Sequence, residues 1–155
     1  MKKIDLGQTI TVLANLAVLF GILLLAYELT QNREMTRAQT RQSIAELLVN
    51  LIKTDATDPL LPEIHIKRIS GQTLTAVEEY RLESYHEAFW RYRESVHFQY
   101  RNGLYDEDEY LALRAVWIRN IEADDWYRGI YCERRNRQTP ELTAEIDSLM
   151  TIPCE

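Results

Sequence analysis

The sequence predicts an all-α protein, with one N-terminal transmembrane helix that continues into a long stalk helix and then a small helical bundle. Three observations support this prediction: an uncharged apolar stretch near the N-terminus, apolar residues spaced three and four apart in the rest of the chain, and no sustained alternation of apolar and polar residues. With 155 residues, the chain has room for one small domain beside the anchor. We expect an anchor over residues 1–30, a stalk over 31–54 and a helical domain over 55–155.

Residues 10–27 are the candidate membrane span. The eighteen residues ITVLANLAVLFGILLLAY carry no charge, and a helix of that length covers about 27 Å, close to the hydrocarbon thickness of a bilayer. A cleaved signal peptide is the alternative, because Lys2 and Lys3 resemble its positive n-region. An uncleaved transmembrane helix is favoured, because the apolar run is long and no small-residue cleavage site follows it.

Two pairs of residues within the span favour association between helices. Ala17 and Gly21 form a small-xxx-small pair, which lets two helix backbones approach closely. Thr11 and Asn15 lie on nearly the opposite face, and an amide in lipid seeks a hydrogen-bonding partner. We therefore expect a homo-oligomer or a partner membrane protein, in addition to the lipid bilayer. A single span that contains these residues by chance is the alternative.

A basic stripe and then an apolar stripe follow the span on the same expected helix. Arg33, Arg37 and Arg41 recur every fourth residue, and this face either contacts lipid phosphates or is simply solvated. Because Lys2 and Lys3 precede the span, the basic residues are nearly balanced and do not define its orientation. Apolar residues at helical spacing predict that the end of the stalk packs into a core: Ile44, Leu47, Leu48, Leu51 and Ile52.

Capping signals divide the rest of the chain into five further helices. These signals are Asp58-Pro59, Thr75-x-x-Glu78, the acidic run 106–109, Asp124-Asp125 and Thr139-Pro140. Asn102-Gly103 is typical of a helix C-terminus. The expected helices cover about 59–69, 75–102, 106–121, 124–137 and 140–150. Residues 110–121 are apolar around most of the circumference, so we expect that helix to be the most buried.

Two Glu-x-x-His pairs, Glu83/His86 and Glu94/His97, are weak candidates for metal ligands. Such pairs build di-iron sites when two different helices each supply one. Here both pairs lie on one expected helix, about 16 Å apart, so a shared centre would need a second chain. Local contacts are the simpler interpretation, and we expect neither a metal nor another cofactor. A metal-dependent enzyme assembled in an oligomer, and an accessory subunit of a pore or transporter, are the alternative functions.

Composition and motifs weigh against nucleic-acid binding and against catalysis. A formal net charge of −6 does not supply the cationic surface that a phosphate backbone requires. Most aromatic residues lie between positions 80 and 131, where core packing explains them best. The sequence has no glycine-rich phosphate loop and no nucleophile elbow, so we expect a protein that is not an enzyme.

The two cysteines, Cys132 and Cys154, are interpreted as free thiols of a reducing compartment. Pairing is expected only if the domain faces an oxidising space. The short N-terminal tail and the unpaired thiols together favour a cytoplasmic C-terminal domain.

Three segments carry a resemblance to other proteins: LLLAYELTQNREMTRAQTRQSI, Asp58-Pro59-Leu60, and the stretch FQYRNGL at 98–104. They resemble a group of small bacterial single-pass membrane proteins with an N-terminal transmembrane helix and a helical C-terminal domain. The segment Thr30-Gln31-Asn32-Arg33 departs from the denser Gln/Arg run of that group. The resemblance implies this architecture and a bacterial inner membrane, but no catalytic or binding residue, since the group has no established activity. The expected function is a self-associating, membrane-anchored interaction module.

Overall fold

The computed structural model describes residues 6–154, and this part of the chain is all-α, as the sequence predicts. The helices are α1 (Leu6–Thr57), α2 (Leu61–Ile69), α3 (Ala76–Arg101), α4 (Glu107–Ala123), α5 (Asp125–Arg134) and α6 (Pro140–Leu149), with a 3-10 turn at Arg135–Arg137. No β-strand occurs between residues 6 and 154. The chain divides into two compact units, one up to Gln39 and one from Thr40.

Helix α1 is continuous because its sequence contains nothing that would break it. The first proline of the chain is Pro59, and Gly7 and Gly21 are the only glycines before it. The helix therefore extends to Thr57, slightly beyond the expected end near Thr54. In the first unit, threonine hydroxyls donate hydrogen bonds to carbonyl oxygens four residues earlier, as Thr11 does to Gly7 and Thr36 to Asn32. These bonds satisfy the hydroxyl groups within the helix itself.

The second unit has a core in which aromatic rings predominate. Trp90 of α3 stacks on Tyr127 of α5, with ring centres 5.6 Å apart, and Tyr100 stacks on Tyr110 at 4.0 Å. These contacts connect α3 with α4 and α5, so the expectation that the aromatic residues form a core is confirmed. The buried members of this core are Ile44, Trp90, Tyr92, Val96, Tyr110, Trp117, Ile121, Tyr127, Tyr131, Leu142 and Ile146.

The end of α1 contributes a narrower apolar stripe to this core than the sequence indicates. Ile44 is buried, and Leu48 and Leu51 pack partly buried against the same cluster. Leu47 and Ile52, however, are exposed. Because the core contacts only one side of α1, residues flanking the central line of the stripe remain at the surface.

Most of the expected capping signals are present in the structure. Thr75 and Glu78 form a reciprocal capping box at the start of α3, and Asp106 and Asp124 accept backbone N–H bonds at the starts of α4 and α5. Gly103 adopts a φ of 67°, which lets the Leu104 N–H reach the Gln99 carbonyl and end α3. The Thr139 side chain, by contrast, makes no capping bond at the start of α6.

The expectation that the helix over 110–121 is the most buried is wrong. Helix α4 buries Tyr110, Trp117 and Ile121 but leaves Val116 exposed. Helix α3 has the larger buried face, because α2, α4 and α5 all pack against it. Its buried residues are Leu82, Trp90, Tyr92, Arg93, Val96 and His97.

Glu145 of α6 connects three helices through a half-buried polar network. Its carboxylate accepts hydrogen bonds from the Tyr110 hydroxyl at 2.8 Å and from the Arg114 guanidinium, and its Oε2 lies 3.1 Å from His97 Nε2. Burial opposes ionisation of Glu145, but the hydrogen bonds from Arg114 and Tyr110 outweigh it and lower the pKa of the carboxyl. Burial also lowers the pKa of His97, although the nearby Glu145 carboxylate opposes this shift.

The cysteines form a disulfide, which corrects the expectation of two free thiols. Cys132 of α5 is bonded to Cys154, and their Cα atoms are 5.4 Å apart although 22 positions separate them in sequence. The chain after α6 returns to this side of the domain, where the Thr151 N–H and hydroxyl both donate to Glu122. Packing of α6, which the cysteine spacing does not reveal, therefore brings the two sulfur atoms together.

Replacement Glu145→Ala should lower the free energy of unfolding by about 3 kcal/mol, because it leaves Tyr110, Arg114 and His97 without their shared acceptor. Urea unfolding followed by circular dichroism measures this loss. Glu141→Ala is the matched control on the same helix, since Glu141 forms its ion pair with the exposed Arg101. Equal effects of the two substitutions would contradict a stabilising role of the network.

Candidate functional site

The first candidate region is the apolar part of α1. Among the described residues, α1 contains the one stretch that is long and apolar enough to cross a membrane, and none of that stretch is buried within the protein. Its position near the N-terminus also fits a signal sequence. The structure therefore presents a helix whose apolar side chains have no protein core to cover them.

The residues expected to mediate helix association are all present on this exposed surface. A Cβ atom built on Gly21 would have no neighbour within 4 Å, so the face shared with Ala17 is open. Asn15 is exposed, and its amide has no partner between residues 6 and 154. Thr11 instead bonds within the helix to Gly7. Asn15 is thus the polar group of the span that still needs a partner.

The basic stripe is divided between the two units. Arg33 and Arg37 belong to the first unit and are exposed. Arg41 belongs to the second unit, where it contacts Glu109 of α4 at 2.6 Å while 70% of its side chain remains exposed. Lys2 and Lys3, on the other side of the span, lie outside the described residues.

The four weak metal candidates do not converge. Glu83 pairs with Arg134, whereas Glu94 accepts hydrogen bonds from Arg91 at 2.9 Å and from the Thr139 backbone at 2.8 Å. His97 belongs to the Glu145 network. Within residues 6–154, no group of three or more His, Cys, Asp and Glu side chains is arranged to hold a metal ion. The interpretation of each pair as a local contact is also wrong, because Glu83 and His97 bind residues of α5 and α6 that are distant in sequence.

His86 lies in an aromatic cluster rather than beside Glu83. Its ring centre is 5.0 Å from that of Tyr127, 5.2 Å from that of Trp126 and 5.6 Å from that of Tyr85. Its Nε2 is buried and has no hydrogen-bond partner in the described chain. Burial, reinforced by the nearby His65 and arginines, lowers the pKa of His86 to about 3, so the imidazole is neutral at physiological pH.

The second candidate region is a cavity of about 470 Å³ beside His86. Helices α2, α3, α4 and α5 all contribute to its walls. Tyr85, Phe89 and Tyr127 provide aromatic surface, while Arg68, Arg93 and Asn120 provide donors of hydrogen bonds. A cavity of this size and mixed lining is typical of sites for small molecules.

Arg93 is the least expected residue in the wall of this cavity. It is only 3% exposed, and its guanidinium lies 4.2 Å from the Trp90 ring centre and 5.3 Å from that of Tyr127. Its Nε and Nη1 atoms are buried without hydrogen-bond partners, and no carboxylate between residues 6 and 154 forms an ion pair with it. Burial lowers the pKa of Arg93, although Tyr127 opposes this shift.

Arg68 differs from Arg93 because it has a counter-ion. It pairs with Asp124 at 2.7 Å, and its guanidinium lies 4.6 Å from the centre of the Trp126 ring. Asp124 also caps α5 by accepting from the Trp126 and Tyr127 backbone N–H groups. The wall of the cavity therefore carries two guanidinium groups, one carboxylate and a neutral imidazole, which leaves one positive charge in excess.

Analysis of the sequence missed Arg93, although a signal was present. Arg93 falls on the same helical face as Leu82, Phe89 and Val96, at a position where the pattern calls for an apolar side chain. A charged residue on a buried face requires a partner, and sequence alone does not reveal whether one exists.

Comparisons with known proteins find no similar protein. No family model matches the chain, and neither a curated protein nor a solved structure matches it.

Burial of neutral His86 should make the helical domain less stable in acid. The pKa of the histidine is about 6.5 in the unfolded chain and about 3 in the folded domain. Above pH 6.5 both states carry the neutral form, whereas between pH 6.5 and 3 the unfolded chain binds a proton that the folded domain does not. The free energy of unfolding should therefore fall by about 1.4 kcal/mol per pH unit from this group.

The matched variant for this measurement is His86→Phe, which keeps a ring in the aromatic cluster. Urea unfolding at pH 6.5 and pH 5 should show wild-type stability falling about 2 kcal/mol more than that of the variant. Between pH 7 and 8 the two should change in parallel. Parallel behaviour at acidic pH as well would contradict the assignment of a buried neutral His86.

Proposed function

We propose that the protein is a membrane-anchored helical interaction module with a regulatory or scaffolding role. One observation carries the proposal: a stretch of eighteen uncharged residues, exposed along its length, lies on the same helix that supplies Ile44 to the core of the folded domain. Lipid tails would cover the apolar side chains that the protein leaves bare. Anchoring would raise the concentration of the domain beside other membrane proteins.

We further propose that the helical domain lies on the oxidising side of a bacterial inner membrane. The expected cytoplasmic location depended on free thiols, and the Cys132–Cys154 disulfide removes that support. Disulfides persist in oxidising compartments and are rare in the cytosol. In this orientation Lys2 and Lys3 would lie on the cytoplasmic side and Arg33, Arg37 and Arg41 on the other, a near balance that gives the positive-inside rule no preference.

Contact with partners is proposed at two places. In the span, the open face at Ala17 and Gly21 and the unpartnered amide of Asn15 favour association with a second copy. On the helical domain, large apolar side chains remain exposed near the α2–α3 connection: Ile69, Val77 and Tyr80. Exposed side chains of this kind are typical of surfaces that bind other proteins. Arg33, Arg37 and Arg41 would add contacts with lipid phosphates.

Membrane insertion and orientation are tested together in the full-length protein. We expect it to stay in the pellet after carbonate extraction, with an intact N-terminus by mass spectrometry. A C-terminal alkaline phosphatase fusion should be active, because that enzyme needs an oxidising compartment. Leu19→Arg, which places a charge at the centre of the span at a cost of about 3 kcal/mol, should reduce insertion, whereas Leu47→Arg on the domain surface should not.

A mature chain that starts beyond Tyr27 would contradict the anchor. An inactive phosphatase fusion, together with a fluorescent C-terminal green fluorescent protein fusion, would instead contradict the proposed orientation.

Self-association is tested by cross-linking in native membranes at natural abundance. The wild type should give a defined homo-oligomer, and Gly21→Leu should decrease its yield several-fold, because a larger side chain keeps two backbones apart. Leu16→Phe is the matched control, since it enlarges a side chain about 140° from Gly21 and about 100° from Asn15 around the same helix. Recovery of monomer alone from the wild type would count against self-association.

A further inference from the structure

We propose that the cavity beside Arg93 binds the carboxylate group of a small organic acid with an apolar, planar body. The proposal concerns a different part of the molecule from the membrane span. It stands independently of the proposed anchoring and self-association.

The first step is the uncompensated charge of Arg93. Only 3% of the residue is exposed to solvent. Stacking on Trp90 and Tyr127 disperses the charge but does not supply acceptors for Nε and Nη1. Buried cations in proteins are normally paired with an anion, because desolvation without a partner is costly. Nε and Nη1 are themselves closed to solvent, so the Arg93 side chain must turn toward the adjoining cavity for an anionic ligand there to provide the missing acceptors.

The second step is the number of charges that the ligand should carry. Arg68 is already neutralised by Asp124, and that carboxylate is held in place by the backbone N–H groups at the start of α5. His86 contributes no charge. One unit of positive charge therefore remains, which matches a monoanion better than a dianion. The planar guanidinium has the geometry to donate two parallel hydrogen bonds to a carboxylate.

The third step is the body of the ligand. Tyr85, Phe89 and Tyr127 line the cavity beside the two arginines, and Asn120 adds a single amide group. Aromatic walls favour a flat apolar group, which can stack on their faces or pack against their edges. The volume of about 470 Å³ accommodates a molecule of this kind without requiring a change of fold.

The test uses the full-length protein in lipid nanodiscs with its disulfide intact, and sodium benzoate as the probe. The chain has three tryptophans, Trp90, Trp117 and Trp126, all in the helical domain, so their fluorescence reports on this region alone. Titration calorimetry provides an independent affinity. Benzoate should bind, whereas benzamide, which has the same shape without the charge, and inorganic phosphate should each bind at least about tenfold more weakly.

The decisive variant is Arg93→Met, with Arg91→Met as the matched control. Arg91 lies two positions away on α3, but it is exposed and paired with Glu87 and Glu94. Arg93→Met should lower benzoate affinity at least about tenfold while maintaining or raising the melting temperature, because it removes a buried charge that has no counter-ion. Arg91→Met should leave benzoate affinity unchanged.

Phe89→Trp keeps both arginines, so it tests whether benzoate binds in the cavity if Arg93→Met does not fold. The larger ring should fill the cavity and weaken benzoate binding without removing any charge. Equal binding of benzoate and benzamide would overturn the assignment of an anion site, and preferential binding of phosphate would overturn the carboxylate. Failure of benzoate to bind, or unchanged binding by both Arg93→Met and Phe89→Trp, would overturn the site itself.

Discussion

The buried face of α3 is the feature on which the helical domain depends. This helix places Trp90, Arg93, Val96 and His97 against α4, α5 and α6, and its N-terminal half meets α2 where Tyr85 packs against His65. The contacts are made largely by aromatic rings, whose area lets a small domain bury much apolar surface with few residues. The same rings bring polar tips and charged neighbours into the interior. The packing of the domain therefore depends on hydrogen bonds to buried polar atoms as well as on the burial of apolar ones.

Some buried polar groups of the domain are fully hydrogen-bonded and others are not. This difference distinguishes residues with a structural role from those of a candidate binding site. Around Glu145, three donors share one carboxylate, and the lowered pKa of Glu145 follows from those hydrogen bonds. Around Arg93, two donor atoms have no acceptor, although the residue is more deeply buried than Arg114. Complete pairing is what structural stability requires. Arg93 is hydrogen-bonded to Tyr127 but keeps two donor atoms without an acceptor at the edge of a cavity, and in our proposal a group outside the chain completes the arrangement.

The apolar part of α1 and the disulfide limit the environments in which the protein can lie. The apolar part of α1 is a candidate membrane span, none of it buried within the protein, and in our proposal lipid covers it. The disulfide closes the C-terminal segment onto α5, and it supports our proposal that the helical domain faces an oxidising compartment. Basic residues on the two sides of the span are too evenly balanced to indicate orientation. Our proposal for the orientation therefore rests on the Cys132–Cys154 disulfide.

Local sequence patterns determined the all-α fold class of the protein and the positions of its helices. The uninterrupted α1, the capping box at Thr75 and the turn at Gly103 depend on residues close together in the chain, so their physical causes can be recognised without the fold. Apolar periodicity located the core face of α3. It did not show that α3 has a larger buried face than α4, because periodicity carries no information on how many helices pack against a face. The disulfide, the Glu145 network and the cavity at Arg93 were decided by tertiary structure alone. Each joins residues from separate helices, and a contact of that kind depends on the direction in which whole helices pack, which no local pattern encodes.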